Sequence, residues 1–293
     1  TCYLIKIIIY LYMQFKRLSL VHFSISIKYI ISIYIIALIA MQLVFGNANV
    51  VFFKMPLNIA IISFWLIFLT FFRKSEIIKK LSGKGVGITA IIFIIVCSLI
   101  LGFASEQFSA NFTKSWIMIG SILLMITSLW LVILRKLSLK NTGFLLSHFG
   151  LLLVLISALF GSADIEKLRT KLNKDDVPTS ISYNANGVPT SLNFNILLSN
   201  FLVEYYPNGS PLRYMATITL SNTANNNYSK TTVELEVNHP AHYKGYDIYL
   251  ISYGEGYCII ELQKQPWKYP LATGIVIMLA GAIFMFIKKD NVE

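Results

Sequence analysis

His148 is the residue of this sequence with the clearest chemical potential, because it is an imidazole within an apolar run. The run covers residues 144–163 and holds no other ionisable side chain. An ionisable residue inside a membrane is costly and is by default a functional-site hypothesis. Neutral imidazole is a common axial ligand of haem iron. One interpretation is therefore haem ligation; the other, equally supported by position, is a hydrogen bond to a neighbouring helix or a lipid headgroup.

Small residues surround this histidine and recur in the last apolar run. Ser147 and Gly150 reduce the steric bulk beside His148, so that a flat ligand or another helix could approach closely. They do not separate the two interpretations of His148. Gly274 and Gly281 are seven residues apart on one predicted helix face, which indicates close helix packing.

His239 and His242 form a second candidate group, within the segment 238–243. Pro240 lies between them and excludes a helix, so the two imidazoles cannot act as a helical metal-binding pair. No acidic or cysteine ligand lies close by in the sequence to complete a metal site. A turn with structural histidines is the favoured prediction. His22, before the first apolar run, is predicted to be an interfacial side chain.

Other catalytic chemistry has little support in this sequence. Cys2, Cys97 and Cys258 are far apart and form no Cys-x-x-Cys pair, which excludes a dithiol redox centre, a zinc knuckle and covalent haem attachment to this chain. Phosphate-binding loops, His-Glu-x-x-His and Gly-x-Ser-x-Gly are absent from the sequence. No predicted span contains Asp or Glu, which argues against an ion-coupled transporter.

The elements that position these residues are hydrophobic helices. Hydrophobic residues make up 56% of the chain and charged residues only 13%, against about a quarter charged in soluble proteins. Six runs approach the roughly 20 residues that a helix needs to cross the bilayer. They lie at about 29–46, 55–72, 86–105, 116–134, 144–163 and 269–287. The sequence therefore predicts a polytopic α-helical membrane protein with six transmembrane helices.

The loop charges predict the orientation of these spans. Lys54 and Lys114 are the only cations in the short loops on one side. Thirteen cations lie on the other side: Lys16, Arg17, Lys28, Arg73, Lys74, Lys79, Lys80, Lys84, Arg135, Lys136, Lys140, Lys288 and Lys289. The positive-inside rule then places both termini in the cytoplasm of a bacterium and residues 164–268 outside its inner membrane. These outer residues hold nine Lys/Arg and ten Asp/Glu, so they lack the basic face that nucleic-acid binding requires.

The predicted organisation has five parts. They are an N-terminal cytoplasmic or interfacial segment 1–28, a five-span membrane domain 29–163, an extracytoplasmic domain 164–268, a sixth span 269–287 and a cytoplasmic tail 288–293. Within the first part, Thr1–Tyr12 is either translation extended upstream of Met13 or an interfacial helix, and both alternatives stay open. The lipid bilayer is thus an expected partner.

The outer domain is predicted to be antiparallel and all-β. A charged connector, Asp164–Arg169, and a polar stretch come first. Alternating apolar and polar residues then predict strands, separated by turn-forming residues at 207–211 and 254–256. The alternating segments are 201–206, 213–221, 228–237, 246–253 and 257–263. Consecutive strands with short polar turns indicate a sandwich or a barrel.

Four stretches, at His148–Leu151 with Gly161, Glu204–Pro211, Val237–Gly254 and Pro266–Pro270, resemble in sequence and order the ResB/CcsB-like family of System II cytochrome c biogenesis membrane proteins. The stretch Glu204–Pro211 is similar to the Bacteroidetes-type version of this family. The stretch Val237–Gly254 is similar to the family's "VNHP…YKGY…Y…SY" pattern, and His148–Leu151 with Gly161 is similar to its "H-x-G" span. Pro266–Pro270 is similar to its "DPW" motif before the last span. The family-motif residues predicted to be structural are His239, Pro240, Gly245, Tyr246, Pro266 and Trp267.

The resemblance implies a subunit of a haem lyase complex, in a non-catalytic or co-catalytic role. Family members pair with, or are fused to, a CcsA-type membrane protein with a Trp-rich "WWD" segment. Together they bring haem b across the membrane and present it to apocytochrome c. The resemblance makes His148 one transient axial ligand, so that iron is bound only through haem, and makes a thioredoxin-like thiol reductant a further candidate partner.

The four tryptophans of this chain are widely separated and form no WWD segment. The CcsA half is then another chain or a missing continuation of this one. Two alternatives to haem handling remain open: a membrane scaffold that stabilises the CcsA-type partner without binding haem, and an unrelated permease subunit.

Overall fold

The structure is a computed structural model that describes residues 27–222 and 230–289 of the 293-residue chain. The predictions for Thr1–Tyr12, for His22 and for the end of the C-terminal tail lie outside the described residues. The chain divides into two compact units. One, the helical unit, combines Thr1–Asp164 with Trp267–Glu293; the other, the β unit, is Ile165–Pro266.

Eight α-helices make up the described part of the helical unit. They are α1 (Ile27–Phe45), α2 (Leu57–Phe71), α3 (Glu76–Leu81), α4 (Lys84–Phe103), α5 (Glu106–Phe112), α6 (Trp116–Arg135), α7 (Thr142–Asp164) and α8 (Lys268–Lys289). Each of the six predicted spans corresponds to one of the six longer helices, with ends that differ by a few residues. The short helices α3 and α5 were not predicted; they begin after Ser75 and Ser105, whose hydroxyls accept backbone N–H bonds.

Among the described residues, four helices are long and apolar enough to cross a membrane. They are Lys84–Phe103, Trp116–Arg135, Leu139–Asp164 and Lys268–Ile287. Tyr29–Phe45 and Leu57–Phe71 are also apolar but shorter. The structure thus supports a multi-pass membrane protein with four such helices, and the count of six spans stays a prediction.

Helix α6 is the central element of the helical unit. More than half of the residues in its apolar stretch are buried, whereas a third or fewer are buried in each of the other three long helices. Its polar groups receive hydrogen bonds from neighbouring helices: Trp65 Nε1 of α2 donates to Thr127 Oγ1 at 3.0 Å, and Tyr34 of α1 donates to the carbonyl oxygen of Gly120 at 2.8 Å. Such bonds between helices hold a bundle together where apolar contacts alone do not distinguish protein from lipid.

The described part of the β unit is one antiparallel sheet of eight strands. In chain order they are β1 (Glu166–Asn173), β2 (Thr179–Asn184), β3 (Pro189–Tyr205), β4 (Pro211–Asn222), β5 (Thr231–Glu236), β6 (Ala241–Tyr243), β7 (Tyr246–Gly254) and β8 (Tyr257–Lys264). The order across the sheet is β5-β4-β3-β2-β1-β8-β7-β6. The outermost strands β5 and β6 follow each other in the chain and lie in contact, and β5 also contacts β7. The sheet therefore curls into a barrel-like shape. Of the two predicted alternatives, a sandwich or a barrel, the structure has the second.

The inward-facing side chains of this sheet form a single apolar core. Its fully buried members come from alternate positions of six strands, as the pleat of a strand requires. They include Leu168, Phe194, Ile196, Ile218, Leu220, Leu235, Ile248, Ile260 and Leu262.

The prediction of a charged connector at Asp164–Arg169 was wrong. Residues from Glu166 onward form β1, which lies between β2 and β8 in the sheet. Leu168 and Leu172 face the core, whereas Lys167, Arg169 and Lys171 face outward. The period of two was present in the sequence, but the outward row of cations concealed it. Strands β2 and β6 were also not predicted, because they are short and their sequences mix polar residues on both faces. The strand predicted at 201–206 is only the end of β3, which begins at Pro189.

Candidate functional site

His148 lies in the second turn of α7 and is partly buried. Its ring stacks on that of Phe144, one helical turn earlier, with a centroid distance of 3.8 Å and an interplanar angle of 27°. Its Nδ1 lies 2.9 Å from the carbonyl oxygen of Phe144. These two contacts with one residue hold the imidazole in a defined orientation along the helix.

The hydrogen bond to Phe144 determines which nitrogen of His148 is available. A carbonyl oxygen only accepts hydrogen bonds, so Nδ1 must carry the proton and donate it. In the neutral imidazole, Nε2 then presents its lone pair away from the helix backbone. Metal-bound histidines commonly have this arrangement, in which the second ring nitrogen donates to a carbonyl or carboxylate. The local geometry of His148 therefore fits a ligand of iron through Nε2.

The face of α7 that carries Gly150 packs against α8 and not against a ligand. A Cβ atom placed on Gly150 would lie 2.4 Å from the backbone nitrogen of Met278, and one on Gly281 would lie 2.2 Å from that of Ser147. Similarly, a Cβ on Gly161 would lie 3.2 Å from Cβ of Trp267. Residues later in α7 contact residues earlier in the chain around α8, so the two helices are antiparallel. Their backbones are in direct contact.

This pairing answers the question that Ser147 and Gly150 left open in the sequence. The small residues accommodate another helix, as Gly274 and Gly281 also predicted. His148 and Gly150 are two residues apart and hence about 200° apart around the helix. His148 instead lies on the face of Leu145 and Leu152, which pack in one cluster with residues of α6.

A second polar group, around Asp164, lies at the end of α7 where the chain leaves the helical unit. The Asp164 carboxylate accepts three hydrogen bonds from within this unit. The donors are the Met55 backbone N–H at 2.9 Å, Asn58 Nδ2 at 2.8 Å and Trp267 Nε1 at 2.6 Å. Asn58 is fully buried and Trp267 is 9% exposed. The start of α2, the end of α7 and the start of α8 are thus joined at one carboxylate.

Sequence reasoning missed Asp164 and Asn58 as a pair. Asn58 is an amide within an apolar run, and that was the one available signal. Asp164 follows another apolar run directly, but 106 residues separate the two. Their contact depends on how three helices pack, which no local pattern encodes. Trp267 was singled out as a motif residue, and its indole N–H donates to Asp164.

The two histidines of the β unit lie in a turn and in the strand that follows it. Asn238 adopts φ 63° in the turn between β5 and β6, and His239 Nδ1 lies 3.2 Å from the carbonyl oxygen of Val237 in that turn. His242 is in β6 and pairs directly with Asp247 of β7, with Nδ1 2.9 Å from Oδ1. Each imidazole therefore contacts a different partner within the sheet. The acidic partner of His242 was not anticipated.

A two-residue turn sets the register that pairs His242 with Asp247. Lys244 and Gly245 have φ of 45° and 84°, as a type I′ turn requires. Tyr243 and Tyr246 flank the turn and contact the core residue Phe194. The Tyr246 hydroxyl donates to Glu166 at 3.2 Å. Burial, and then the nearby Glu166 carboxylate, raise the pKa of Tyr246 to about 12.

Metal-binding groups of three or more His, Cys, Asp or Glu side chains do not occur within residues 27–222 and 230–289. In the β unit, burial raises the pKa of the Cys258 thiol to about 11, so this thiol is not a nucleophile at neutral pH. His148 is consequently the described side chain whose type and geometry best suit iron. It would act as a single axial ligand and would need a second ligand from elsewhere.

Comparison with known proteins confirms the resemblance found in the motifs. Residues 131–268 match the ResB-like family, and this range includes His148, the β unit and Trp267. The "Cytochrome c biogenesis protein CcsB" of Prochlorococcus marinus is 27% identical over 139 residues, which cover 47% of this chain and 30% of that protein. The chain thus spans less than a third of the length of this curated relative.

A solved structure, "Cytochrome c Heme Lyase CcmF", is similar at a TM-score of 0.34 and 11% identity, over 67% of this chain and 33% of that one. A similarity at this level supports no statement about the present chain. The resemblance to the ResB/CcsB-like family rests on the match over residues 131–268 and on the curated relative.

Proposed function

We propose that this ResB/CcsB-like chain is a subunit of a bacterial cytochrome c synthase complex that handles haem b as its substrate. In this role it helps to move haem across the membrane and to present it, with apocytochrome c, for covalent attachment. The observation that carries the proposal is the imidazole of His148, whose Nδ1 bonds the Phe144 carbonyl at 2.9 Å and leaves Nε2 as a ligand. The family match supplies the biological context.

His148 supplies one axial ligand of haem, and a CcsA-type WWD membrane protein supplies the other. The packing of α7 supports a site in which the two ligands come from two different chains. One side of the helix is filled by α8, at backbone contact through Gly150 and Gly281. A haem bound at His148 therefore lies away from α8, beside the face of α7 that packs with α6, and the partner contributes its ligand from there.

The test is a visible spectrum of the chain purified together with its CcsA-type partner. The wild type is expected to show a Soret band, and His148→Ala is expected to lose most of it. Added imidazole should restore part of the band by occupying the space of the deleted ring. His242→Ala is the matched control and should keep a wild-type spectrum. An unchanged Soret band in His148→Ala would contradict the proposal that His148 is a ligand of haem iron.

A membrane scaffold that does not bind haem is the second candidate function. The hydrogen bond between His148 and the Phe144 carbonyl oxygen is also compatible with this role. Phe144 already satisfies one nitrogen of His148 within the helix, so the side chain does not require haem in order to be stable. The scaffold role predicts that His148→Ala binds the CcsA-type partner as strongly as the wild type does, with no change in haem content. The spectrum and a co-purification assay together separate the two roles.

The β unit is proposed to lie outside the cytoplasm and to hold an extended segment of apocytochrome c. Pairing with β2 ends at Ile196, and residues 197–205 of β3 pair with β4 alone among the described strands. An open strand edge can bind a peptide by adding a strand. A photo-crosslinker at Leu202, beside this edge, is expected to capture apocytochrome. One at Ile181, equally exposed but on a strand with two neighbours, is not.

The topology is proposed to comprise six spans with both termini in the cytoplasm, as the positive-inside pattern indicates. Reporter fusions test it directly. An alkaline phosphatase fused after Asn208 is expected to be active, because this turn belongs to the outer unit. The same reporter after Lys140 is expected to be inactive. A thioredoxin-like reductant is a further proposed partner, which would keep the cysteines of apocytochrome reduced.

A further inference from the structure

A basic cavity lies at the end of the helical unit where α2, α3 and α6 meet. It has a volume of about 490 Å³. Four cations line it: Arg73 and Lys74 from the link after α2, Lys79 from α3, and Arg135 from the last turn of α6. No acidic residue lines it, and Glu76, the acid closest in sequence, is not among its walls. The cavity is thus strongly positive for its size.

None of the ion pairs between side chains of residues 27–222 and 230–289 involves these four cations; those pairs lie in the β unit. The buried Ser82 hydroxyl lies 3.4 Å from Arg135 Nη1 and donates to the Lys79 carbonyl oxygen at 2.8 Å. Ser82 therefore places the guanidinium at the rim of the cavity. Four like charges gathered in one space repel each other unless an anion joins them.

The floor of the same cavity is apolar. Ile78 and Leu131 are 6% and 3% exposed and pack together with Leu69 of α2. Leu134 completes the lining beside Arg135. Arg135 ends an apolar helix that is long enough to cross a membrane, so it lies at the level of the lipid headgroups. A cavity with a cationic rim and an apolar floor at this depth matches an anionic amphiphile.

We propose that this cavity binds the phosphate group of an anionic phospholipid, with Arg73, Lys74, Lys79 and Arg135 around the phosphate and the apolar floor against the first part of the acyl chains. Basic pockets between transmembrane helices are suited to such headgroups. The guanidiniums of Arg73 and Arg135 can each donate two parallel hydrogen bonds to phosphate oxygens. A bound lipid would fasten the short helix α3 to α6, which the haem-handling role does not require.

Native mass spectrometry of the chain from mixed micelles of phosphatidylglycerol and phosphatidylcholine tests the proposal. The variant is Arg73→Gln with Lys79→Gln and Arg135→Gln. The control is Lys84→Gln with Lys136→Gln and Lys140→Gln, which removes the same charge from positions that do not line the cavity. Wild type and control are expected to retain phosphatidylglycerol preferentially. The variant should lose this preference by about a hundredfold, since each cation contributes roughly 1 kcal/mol.

Equal retention by the variant and the control would overturn the proposal. Release of phosphatidylglycerol by millimolar inorganic phosphate would also overturn it, since it would assign the cavity to a soluble anion. Arg135→Lys guards against a folding defect: it keeps the charge and should retain most of the preference, whereas Arg135→Gln alone should weaken it about fivefold. A loss in both single variants would indicate a structural role for Arg135 instead.

Discussion

Trp267 donates its indole N–H to Oδ2 of Asp164 across 2.6 Å, and this bond joins the residue before α8 to the last residue of α7. The two residues are the points at which the chain leaves and re-enters the helical unit. Asn58 donates to the same carboxylate oxygen at 2.8 Å. One carboxylate thus joins the end of α7, the helix that carries His148, to the start of α8.

Asp164→Ala is expected to destabilise the helical unit by about 2–4 kcal/mol, because it removes three hydrogen bonds to a charged acceptor and leaves the buried Trp267 N–H without one. Trp267→Phe removes a single bond and should cost about half as much. Thermal unfolding in detergent, followed by circular dichroism, measures both. Asp175→Ala is the control at an exposed acid of the β unit and should leave the transition unchanged. A neutral Asp164→Ala would contradict the positioning role.

Gly150→Ala is expected to separate α7 from α8, because the added Cβ would lie 2.4 Å from a backbone nitrogen that cannot move independently of its helix. The predicted loss is about 1–3 kcal/mol. Gly102→Ala in α4 is the matched control, since no atom lies within 4 Å of its added Cβ. That control should be neutral or slightly stabilising, because alanine favours helices over glycine. Heat-induced aggregation of the two variants in detergent compares them directly.

Gly245→Ala is expected to loosen the hairpin that pairs His242 with Asp247. Its φ of 84° is left-handed, and a Cβ there costs about 1–2 kcal/mol. Asn238→Gly is the opposite control, since it removes a Cβ at φ 63° in the adjacent turn. Hydrogen exchange of residues 237–250 should become about tenfold faster in the first variant and no faster in the second. Unchanged exchange in Gly245→Ala would show that the turn does not set the register.

Cys258 is expected to make the β unit sensitive to alkali. Burial raises its pKa from 9.0 to about 11, so the folded state binds this proton more tightly than the unfolded state does. The contribution of the protonated Cys258 thiol to the free energy of unfolding is complete below about pH 9, and it is lost as the pH rises through about 11. Alkylation of Cys258 by iodoacetamide should therefore be slow at pH 8 and should increase steeply above pH 10.

The matched control for this thiol is Glu255→Cys in a Cys258→Ala background, which places a cysteine in the exposed turn before β8. That thiol should react quickly and follow the ordinary cysteine pKa of about 8.5. Similar profiles for the two cysteines would show that Cys258 is not protected by folding.

Most of the architecture was predictable from the sequence because its signals are local. A run of apolar residues predicts a helix wherever it occurs, and six such runs match the six longer helices, four of which are long enough to cross a membrane. Alternation likewise predicted the strands that became β4, β7 and β8. In β1 the outward-facing residues Lys167, Arg169 and Lys171 are charged, so the segment was predicted to be a connector. That prediction was wrong, although the alternation of apolar and polar residues that is typical of a strand was present.

The sequence by itself also identified His148 as the residue to examine, since an imidazole among apolar residues is conspicuous without any structure. Only the tertiary structure decided what surrounds it. The bond from Nδ1 to Phe144, the occupation of the Gly150 face by α8 and the meeting of Asp164 with Asn58 and Trp267 depend on distances between atoms. Contacts across about a hundred residues arise from the packing of whole helices, and the helical period alone does not determine that packing.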